Sequence, residues 1–224
     1  MIRHCLEVFL RYQDAFGKAF LETFEMLATA LFFALVLGLV LGILIFATRP
    51  SGLWHNRPLY AVLSGLINIT RSVPFILFII VMIPVNRAIM GTGFGVNASK
   101  VPLSIIGIAL FARFTEQNLL DVDRSIYETS YALGASTLQY FWHFLLKEAR
   151  SGLILSFTST AISLISYSTV MGVIGGGGLG YLAISEGYNN FNYELMWMII
   201  LAIVIMVQLI QTAGSLVARI FDKR

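Results

Sequence analysis

Long apolar runs separated by short polar segments constrain this chain more than any other feature of its sequence. From Met26 to Ala47 no residue is charged, and at a helical rise of about 1.5 Å per residue such a run is long enough to cross a bilayer once. The 224 residues are 58% hydrophobic and 12% charged, whereas soluble domains carry about 25% charged residues. The composition excludes a soluble domain and predicts one polytopic membrane domain over residues 1–224.

The apolar runs predict an all-α integral membrane protein with five transmembrane helices. Their predicted bounds are 22–47, 59–85, 101–120, 152–175 and 195–218. The second helix is expected to kink or break near Pro74, because proline removes a backbone donor. Gly38 and Gly42 in the first span form a small-xxx-small face against which another helix can pack closely.

Two segments depart from this regular pattern. Residues 1–21 mix apolar and charged side chains, which predicts an amphipathic helix lying at the membrane surface. The run Gly175–Gly178 is expected to end the fourth span and to be followed by an irregular loop, because glycine lets the chain turn sharply. We do not interpret this run as a phosphate-binding loop, since no Lys-Ser or Lys-Thr follows it.

The basic residues are unevenly distributed over the predicted loops. Five spans place the chain ends on opposite sides of the membrane, so residues 48–58, residues 124–150 and the C-terminal tail share one face. The positive-inside rule predicts that this face is cytoplasmic and that the N-terminus is outside. Its basic residues are Arg49, Arg57, Arg124, Lys147, Arg150, Arg219, Lys223 and Arg224. A net charge of +3 therefore needs no nucleic-acid partner.

The sequence of residues 124–150 predicts two short helices joined by a turn at Gly134. We call this segment the elbow. Ser125 and Glu128 have the spacing of a capping box at the start of the first helix. Ser136 and Gln139 repeat that spacing at the start of the second helix, which is expected to run towards Ala149. Gly134, between the two, is predicted to end the first helix, because glycine adopts the left-handed conformation at little cost.

The elbow is polar but rich in large apolar side chains, which is typical of a segment that docks onto a partner. These side chains are Tyr131, Leu138, Tyr140, Phe141, Trp142 and Phe144. The alternative is an ordinary amphipathic loop resting on the lipid headgroups.

The fourth span carries a polar stripe at near-heptad spacing, and two interpretations of it remain open. The hydroxyls can line a translocation path, where they replace solute hydration, or they can pack against a second copy of the chain. The stripe consists of Ser156, Ser159, Thr160, Ser163 and Ser166.

Charges within the spans are few. Arg71 is the only charge in the second span; it has either a gating or substrate-binding role or a structural role beside Pro74. Arg113 and Glu116 are spaced to form an ion pair on one helix face, and we expect this pair to have a structural role.

The sequence lacks any catalytic constellation. His4, His55 and His143 do not have the spacing of metal ligands, and Cys5 is the only cysteine, so neither a metal site nor an intrachain disulfide is predicted. There is no GxSxG motif and no P-loop. We therefore expect a protein that is not an enzyme and holds no cofactor of its own. A passive channel and an integral-membrane enzyme are the alternatives from other functional classes.

Several stretches of the chain resemble known transport proteins. Glu128, Gly134 and Leu145-Leu146 resemble the EAA coupling loop of bacterial ABC-importer permeases, although Thr129 and Ser130 replace the usual alanines and Lys147 stands where proline is common. From Leu21 to Ile220 the chain is similar to methionine-importer permeases. The matching stretches are ATRP at 47–50, TRSVPFI at 70–76, MIPVNRAIMGT at 82–92, FARFTEQNLLDV at 111–122, the elbow, and IGGGGLG at 174–180.

This resemblance implies a type I ABC importer permease fold in the bacterial plasma (inner) membrane. It implies that two copies of the chain form the channel, that two ATP-binding cassette subunits bind ATP and Mg²⁺, and that an extracytoplasmic binding protein delivers methionine. It also implies that the ATPase docks on the elbow. The residues expected to couple are Glu128, Ala132, Gly134, Ala135, Leu138 and Phe141. An importer of the same architecture for another cargo, such as cystine or a methionine derivative, stays an alternative, because cargo choice is expected to rest largely with the binding protein.

Overall fold

The computed structural model describes the backbone of residues 2–222 and the side chains of residues 10–222. The side chains of His4 and Cys5, and the whole of Lys223 and Arg224, lie outside the described residues. The helices are α1 (Ile2–Phe33), α2 (Leu39–Thr48), α3 (Arg57–Ser72), α4 (Phe75–Met90), α5 (Val96–Leu120), α6 (Arg124–Ala132), α7 (Thr137–Gln139), α8 (Leu146–Val173), α9 (Gly178–Leu182) and α10 (Tyr193–Phe221). Short π-helical segments lie at Ala34–Gly38, Tyr140–Leu145 and Ala183–Tyr188.

Four of the five predicted spans correspond to long helical stretches, and the second is divided into two helices that meet at a bend of 112°. Within residues 2–222, four stretches of helix are long and apolar enough to cross a bilayer, and α3 with α4 provides a fifth if the two form one broken span. The break lies at Val73 and Pro74, as predicted, because a residue that precedes proline is disfavoured in the helical conformation. Pro74 then caps α4 with an extended ψ of 129°.

The N-terminal segment forms a helix, as its sequence predicted, and this helix is continuous with the first span. Helix α1 runs from Ile2 to Phe33 and continues through the π-helical segment into α2, since neither proline nor a glycine turn interrupts it. Ala19 is buried, and Tyr12 and Phe16 pack against the same core cluster. One face of the described part of this helix, formed by Tyr12, Phe16 and Ala19, therefore packs against the protein.

The chain divides into two compact units. Unit 1 comprises residues up to Phe32, Val73–Ile106 and Ala161–Ile210. One of its cores is formed by Ala19, Leu179, Leu182, Leu195 and Ile199. The fourth span ends at Val173, close to the predicted bound, but the region after the glycines is helical (α9 and the segment Ala183–Tyr188). The prediction of an irregular loop there was wrong, because side chains distant in sequence cap this short helix, as described below.

Unit 2 comprises Phe33–Ser72, Gly107–Thr160 and the chain from Gln211. Ile45, Ile67, Ala109 and Ala112 form one of its cores. Gly42 lies against α5: a Cβ atom built on Gly42 would be 2.6 Å from the Ala112 carbonyl oxygen. The small-xxx-small face of the first span is thus used for close helix packing, as the sequence predicted.

Candidate functional site

The first helix of the elbow is capped by Asp123 and not by the predicted Ser125–Glu128 box. The Asp123 carboxylate accepts a hydrogen bond from the Ser125 backbone N–H at 2.7 Å, so Asp123 is the N-cap of α6. Ser125 therefore lies inside the helix, where its hydroxyl cannot serve as the cap. Glu128 instead lies 3.8 Å from Arg124 in an exposed pair, which contributes little to stability.

Removing the Asp123 cap should loosen the start of α6. The Ser125 side chain, and secondarily its backbone N–H, lower the pKa of Asp123 below its ordinary value of 3.8. The stability that this ionised cap provides is complete above the ordinary pKa and is lost as the pH falls through the lower folded value. For Asp123→Ala we expect faster hydrogen exchange at the Ser125 amide, and for Asp123→Asn, which keeps an acceptor, a smaller increase. Unchanged exchange in the alanine variant would contradict this account.

Gly134 ends α6 as predicted. Its φ is +70°, in the left-handed region. The Gly134 N–H bonds to the Tyr131 carbonyl at 2.9 Å, and the Ala135 N–H bonds to the Ser130 carbonyl at 3.0 Å. This pair of hydrogen bonds is the Schellman motif that closes many helices. The two helices of the elbow are thus joined by a turn whose direction is set by hydrogen bonds.

The second capping box is confirmed, but the helix that it starts is much longer than predicted. The Gln139 side chain accepts from the Ser136 N–H at 2.8 Å, and the Ser136 hydroxyl accepts from the Gln139 N–H at 3.3 Å. The helical stretch then continues from Thr137 to Val173 instead of stopping near Ala149. The stretch contains no proline, and Gly152 keeps the helical conformation, so the second arm of the elbow and the fourth span are one helical stretch.

An aromatic cluster fixes the base of this helix to the segment after α2. Phe141 is buried, with its ring 6.3 Å from that of Phe46 and 5.4 Å from that of Trp54. The Arg49 guanidinium lies over the Phe46 ring at 4.1 Å, and burial lowers the pKa of Arg49. Sequence reasoning did not place Arg49 and Trp54 at the elbow, because nothing in the sequence shows that residues 48–58 contact it. Phe141, predicted as a docking residue, packs inside the protein instead.

The outer side of the elbow carries exposed apolar side chains. Tyr131 and Leu133 are 75% and 71% exposed, and Leu138 and Trp142 are more than half exposed. We call these four residues the elbow patch. Among the other predicted coupling residues, Glu128, Ala132 and Gly134 are exposed and Ala135 is half-buried. Capped helix ends together with exposed apolar side chains are typical of a rigid docking element.

On the inner side of the elbow, α8 is tied to the end of α10. The Arg150 Nε donates to the Phe221 carbonyl oxygen at 3.0 Å, and the Ser151 hydroxyl donates to the Ala218 carbonyl oxygen at 3.3 Å. A cavity of about 530 Å³ lies beside this contact, and Asp121, His143 and Lys147 contribute to its lining. Charges of both signs thus surround the base of the elbow.

The structure separates the members of the predicted polar stripe. The Ser156 hydroxyl accepts from the Asn118 amide at 2.7 Å, and Thr160 is fully buried. Ser159 and Ser166 are exposed, and Ser163 is half-buried. The stripe therefore contains both packed and accessible hydroxyls.

The charged residues of the spans also differ in their environments. Arg113 and Glu116 form the predicted ion pair at 2.5 Å, with Glu116 buried. Arg71 lies in the last turn of α3, is exposed, and makes no ion pair with the residues that the structure describes. Between residues 10 and 222 no three His, Cys, Asp or Glu side chains are grouped so that they could hold a metal ion.

Comparison with known proteins assigns the family. Residues 34–224 match the family model of the binding-protein-dependent transport system inner membrane component. A probable D-methionine transport system permease protein MetI of Pasteurella multocida is 39% identical, over 96% of this chain and 99% of the relative. The methionine import system permease protein MetP of Bacillus subtilis is 39% identical, over 81% and 82% of the two chains.

A solved structure agrees with this assignment. The inward-facing MetNI methionine ABC transporter superposes with a TM-score of 0.89 at 38% identity, over 93% of this chain and 96% of that chain. The all-helical architecture is therefore the type I ABC importer permease fold, and the chain is a transporter subunit and not an enzyme. This chain belongs to the family of binding-protein-dependent transport system inner membrane components.

Proposed function

We propose that this chain is the membrane-spanning permease subunit of an ATP-driven importer that carries methionine across the bacterial inner membrane. The relatives at 39% identity are named as methionine permeases, which favours methionine over cystine as the cargo. The observation that carries the coupling part of the proposal is the construction of the elbow. Its helix ends are capped, its base is packed on Phe46 and Trp54, and its apolar patch faces outwards.

The proposed assembly contains two copies of this chain and two ATP-binding cassette subunits, which bind ATP and Mg²⁺. The elbow patch inserts into a groove on each ATPase subunit, where burial of aromatic side chains supplies affinity. Glu128, Ala132 and Ala135 contact the rim of that groove, and Gly134 sets the angle between the two helices. Phe141 acts from within, because it anchors the elbow to the permease.

The second arm of the elbow transmits movement because it is continuous with the fourth span. The helical stretch Thr137–Val173 contains 37 residues, a length of about 55 Å at 1.5 Å per residue. When ATP binding closes the two motor subunits, they displace the elbows, and the fourth span moves with them. Such a switch needs two states that the motor binds with different affinity.

The orientation follows from the same docking. Because ATP is cytosolic, the elbow, Arg49 and Arg150 face the cytoplasm, together with the C-terminus, and the N-terminus is outside. An extracytoplasmic binding protein then delivers methionine to the opposite face. Arg71 is assigned a structural role in this arrangement, because the long side chain of an arginine at a helix end can extend along apolar surface and keep its charge in a polar environment.

Reconstitution tests this function. The chain is assembled with its ATPase subunit in liposomes, the binding protein is added, and uptake of radiolabelled methionine is measured. We expect uptake that requires ATP and the ATPase, and that excess unlabelled methionine abolishes whereas cystine does not. Uptake by the chain alone without ATP would instead identify a passive channel.

The accessible hydroxyls of the fourth span are proposed to line the path. With cysteine at Ser163, the rate of modification by a water-soluble thiol reagent should differ at least about threefold between nucleotide-free and ATP-bound complexes, because access to the path alternates. Cysteine at Thr160, which is fully buried, is the matched control and should react slowly in both states. Equal labelling of the Ser163 variant in the two states would contradict a role in the path.

A further inference from the structure

Side chains of α1 complete a turn that lies far away in sequence. The turn, which we call the glycine turn, comprises residues 174–177 and joins α8 to α9. The Glu22 carboxylate accepts from the Gly178 N–H at 2.8 Å, and the Thr23 hydroxyl accepts from the Leu179 N–H at 2.8 Å. The first N–H groups of a helix have no acceptor within it, and Gly177 at the N-cap has no side chain to supply one. Helix α1 therefore provides the cap that α9 lacks.

The carbonyl groups of the glycine turn accept hydrogen bonds from α5 and from the residue that precedes it. The Ser99 hydroxyl donates to the Gly176 carbonyl oxygen at 3.0 Å, and the Gly95 N–H donates to the Gly175 carbonyl oxygen at 3.1 Å. Ser99 is fully buried. The turn is thus fixed by hydrogen bonds from α1, from α5 and from the residue that precedes α5, in an environment where unpaired backbone groups would be costly.

The glycines are required for this contact. Gly177 and Gly178 have φ values of +82° and +77°, which residues with a Cβ atom rarely adopt. A Cβ atom on Gly178 would also lie 2.7 Å from the Thr23 hydroxyl oxygen. The glycines therefore allow the left-handed backbone conformation of the turn and the close approach of α1 to it.

We propose that Glu22 and Thr23 are positioning residues for transport, because they fix the glycine turn and with it the end of α8. The inference rests on the proposed function. Both residues lie before residue 34, where the match to the family model begins, so the matched region depends on caps supplied from outside it. When the caps are lost, the Gly178 and Leu179 N–H groups are left unpaired and the turn opens. Helix α8, which carries Ser163 and Ser166, then loses its fixed end.

Two interactions of Glu22 must be separated in the test. Besides the hydrogen bond to Gly178, the Glu22 carboxylate lies 3.9 Å from Lys18. Glu25, on the same helix, pairs with Lys100. If the hydrogen bond matters, Glu22→Gln should retain part of the function, since the amide oxygen still accepts, and Lys18→Met should have no effect. If the ion pair matters, both of these variants should behave like Glu22→Ala.

The experiment uses the complete complex in liposomes and measures ATP-dependent methionine uptake, ATP hydrolysis and hydrogen exchange of residues 178–179. For Glu22→Ala we expect exchange to rise by about 10-fold to 100-fold, the change that corresponds to loss of a hydrogen bond to a charged acceptor. Uptake should fall at least about 10-fold while ATP hydrolysis persists, and Glu22→Gln should lose less because a neutral acceptor is about half as strong.

Three results would overturn the proposal: unchanged exchange in Glu22→Ala, normal uptake despite fast exchange, or an equal defect in Lys18→Met. If Glu22→Ala does not assemble, Thr23→Val is tested instead, because it removes the second acceptor at similar side-chain volume. Normal uptake by the Thr23→Val variant would also overturn the proposal. If the unmodified complex shows no uptake, the proposed function is contradicted. The hydrogen-exchange rates of residues 178–179 would still show whether Glu22 and Thr23 cap α9.

Discussion

Replacing Gly134 with valine is expected to uncouple methionine uptake from ATP hydrolysis. Gly134 has a φ of +70°, and a Cβ atom there would meet nothing within 4 Å. The effect is therefore backbone strain and not a clash. A left-handed conformation costs a residue with a Cβ atom about 1–2 kcal/mol, and more for a β-branched side chain. The Schellman turn should give way, and Leu133 and Leu138 should lose the relative orientation that docking requires.

Uptake and hydrolysis are measured on the same reconstituted complex. For Gly134→Val we expect uptake to fall at least about tenfold, which corresponds to about 1.4 kcal/mol, while the ATPase continues to hydrolyse ATP. Gly134→Asn is the matched control, because asparagine tolerates the left-handed region better than other residues with a side chain, and it should lose much less. Full uptake by the valine variant would contradict the role of the elbow.

Replacing Gly42 with alanine is expected to destabilise the folded chain. The new Cβ atom would lie 2.5 Å from the Thr115 Cβ and 2.6 Å from the Ala112 carbonyl oxygen. Because one of these atoms belongs to the backbone of α5, a side-chain rotation cannot relieve the clash and the helices must separate. Overpacking of this kind costs about 1–3 kcal/mol. We expect a lower unfolding temperature of the purified protein in detergent.

Gly65→Ala is the control for the Gly42 variant. Gly65 lies in α3 of the same unit, and nothing lies within 4 Å of a Cβ atom built there. Alanine favours a helix over glycine by about 0.8–1 kcal/mol, so this variant should unfold at the same or a higher temperature. If the two variants behaved alike, the close contact between Gly42 and α5 would not be the cause.

Phe141 was predicted to lie on the docking surface but is buried. Its case shows why the sequence does not tell which side chains of a helix contact a partner. The aromatics of the elbow were predicted to face a partner as a group. The structure divides them: Trp142 is exposed, whereas Phe141 lies between Phe46 and Trp54. Neighbouring residues on a helix point in different directions. Which of them is buried depends on the side chains that a distant part of the chain packs against that side of the helix.

The sequence by itself determined the features that arise from local interactions: the apolar spans, the break before Pro74, the end of α6 at Gly134 and the Ser136–Gln139 capping box. Each depends on residues within a few positions of one another, whose hydrogen bonding and backbone preferences are the same in any fold. Only the tertiary structure decided that Asp123 and not Ser125 caps α6, that Tyr12, Phe16 and Ala19 pack on a core of unit 1, and that Glu22 and Thr23 cap α9. The first is a competition between adjacent acceptors. The other two join segments about 150 residues apart, and no pattern of neighbouring residues records a contact over that distance.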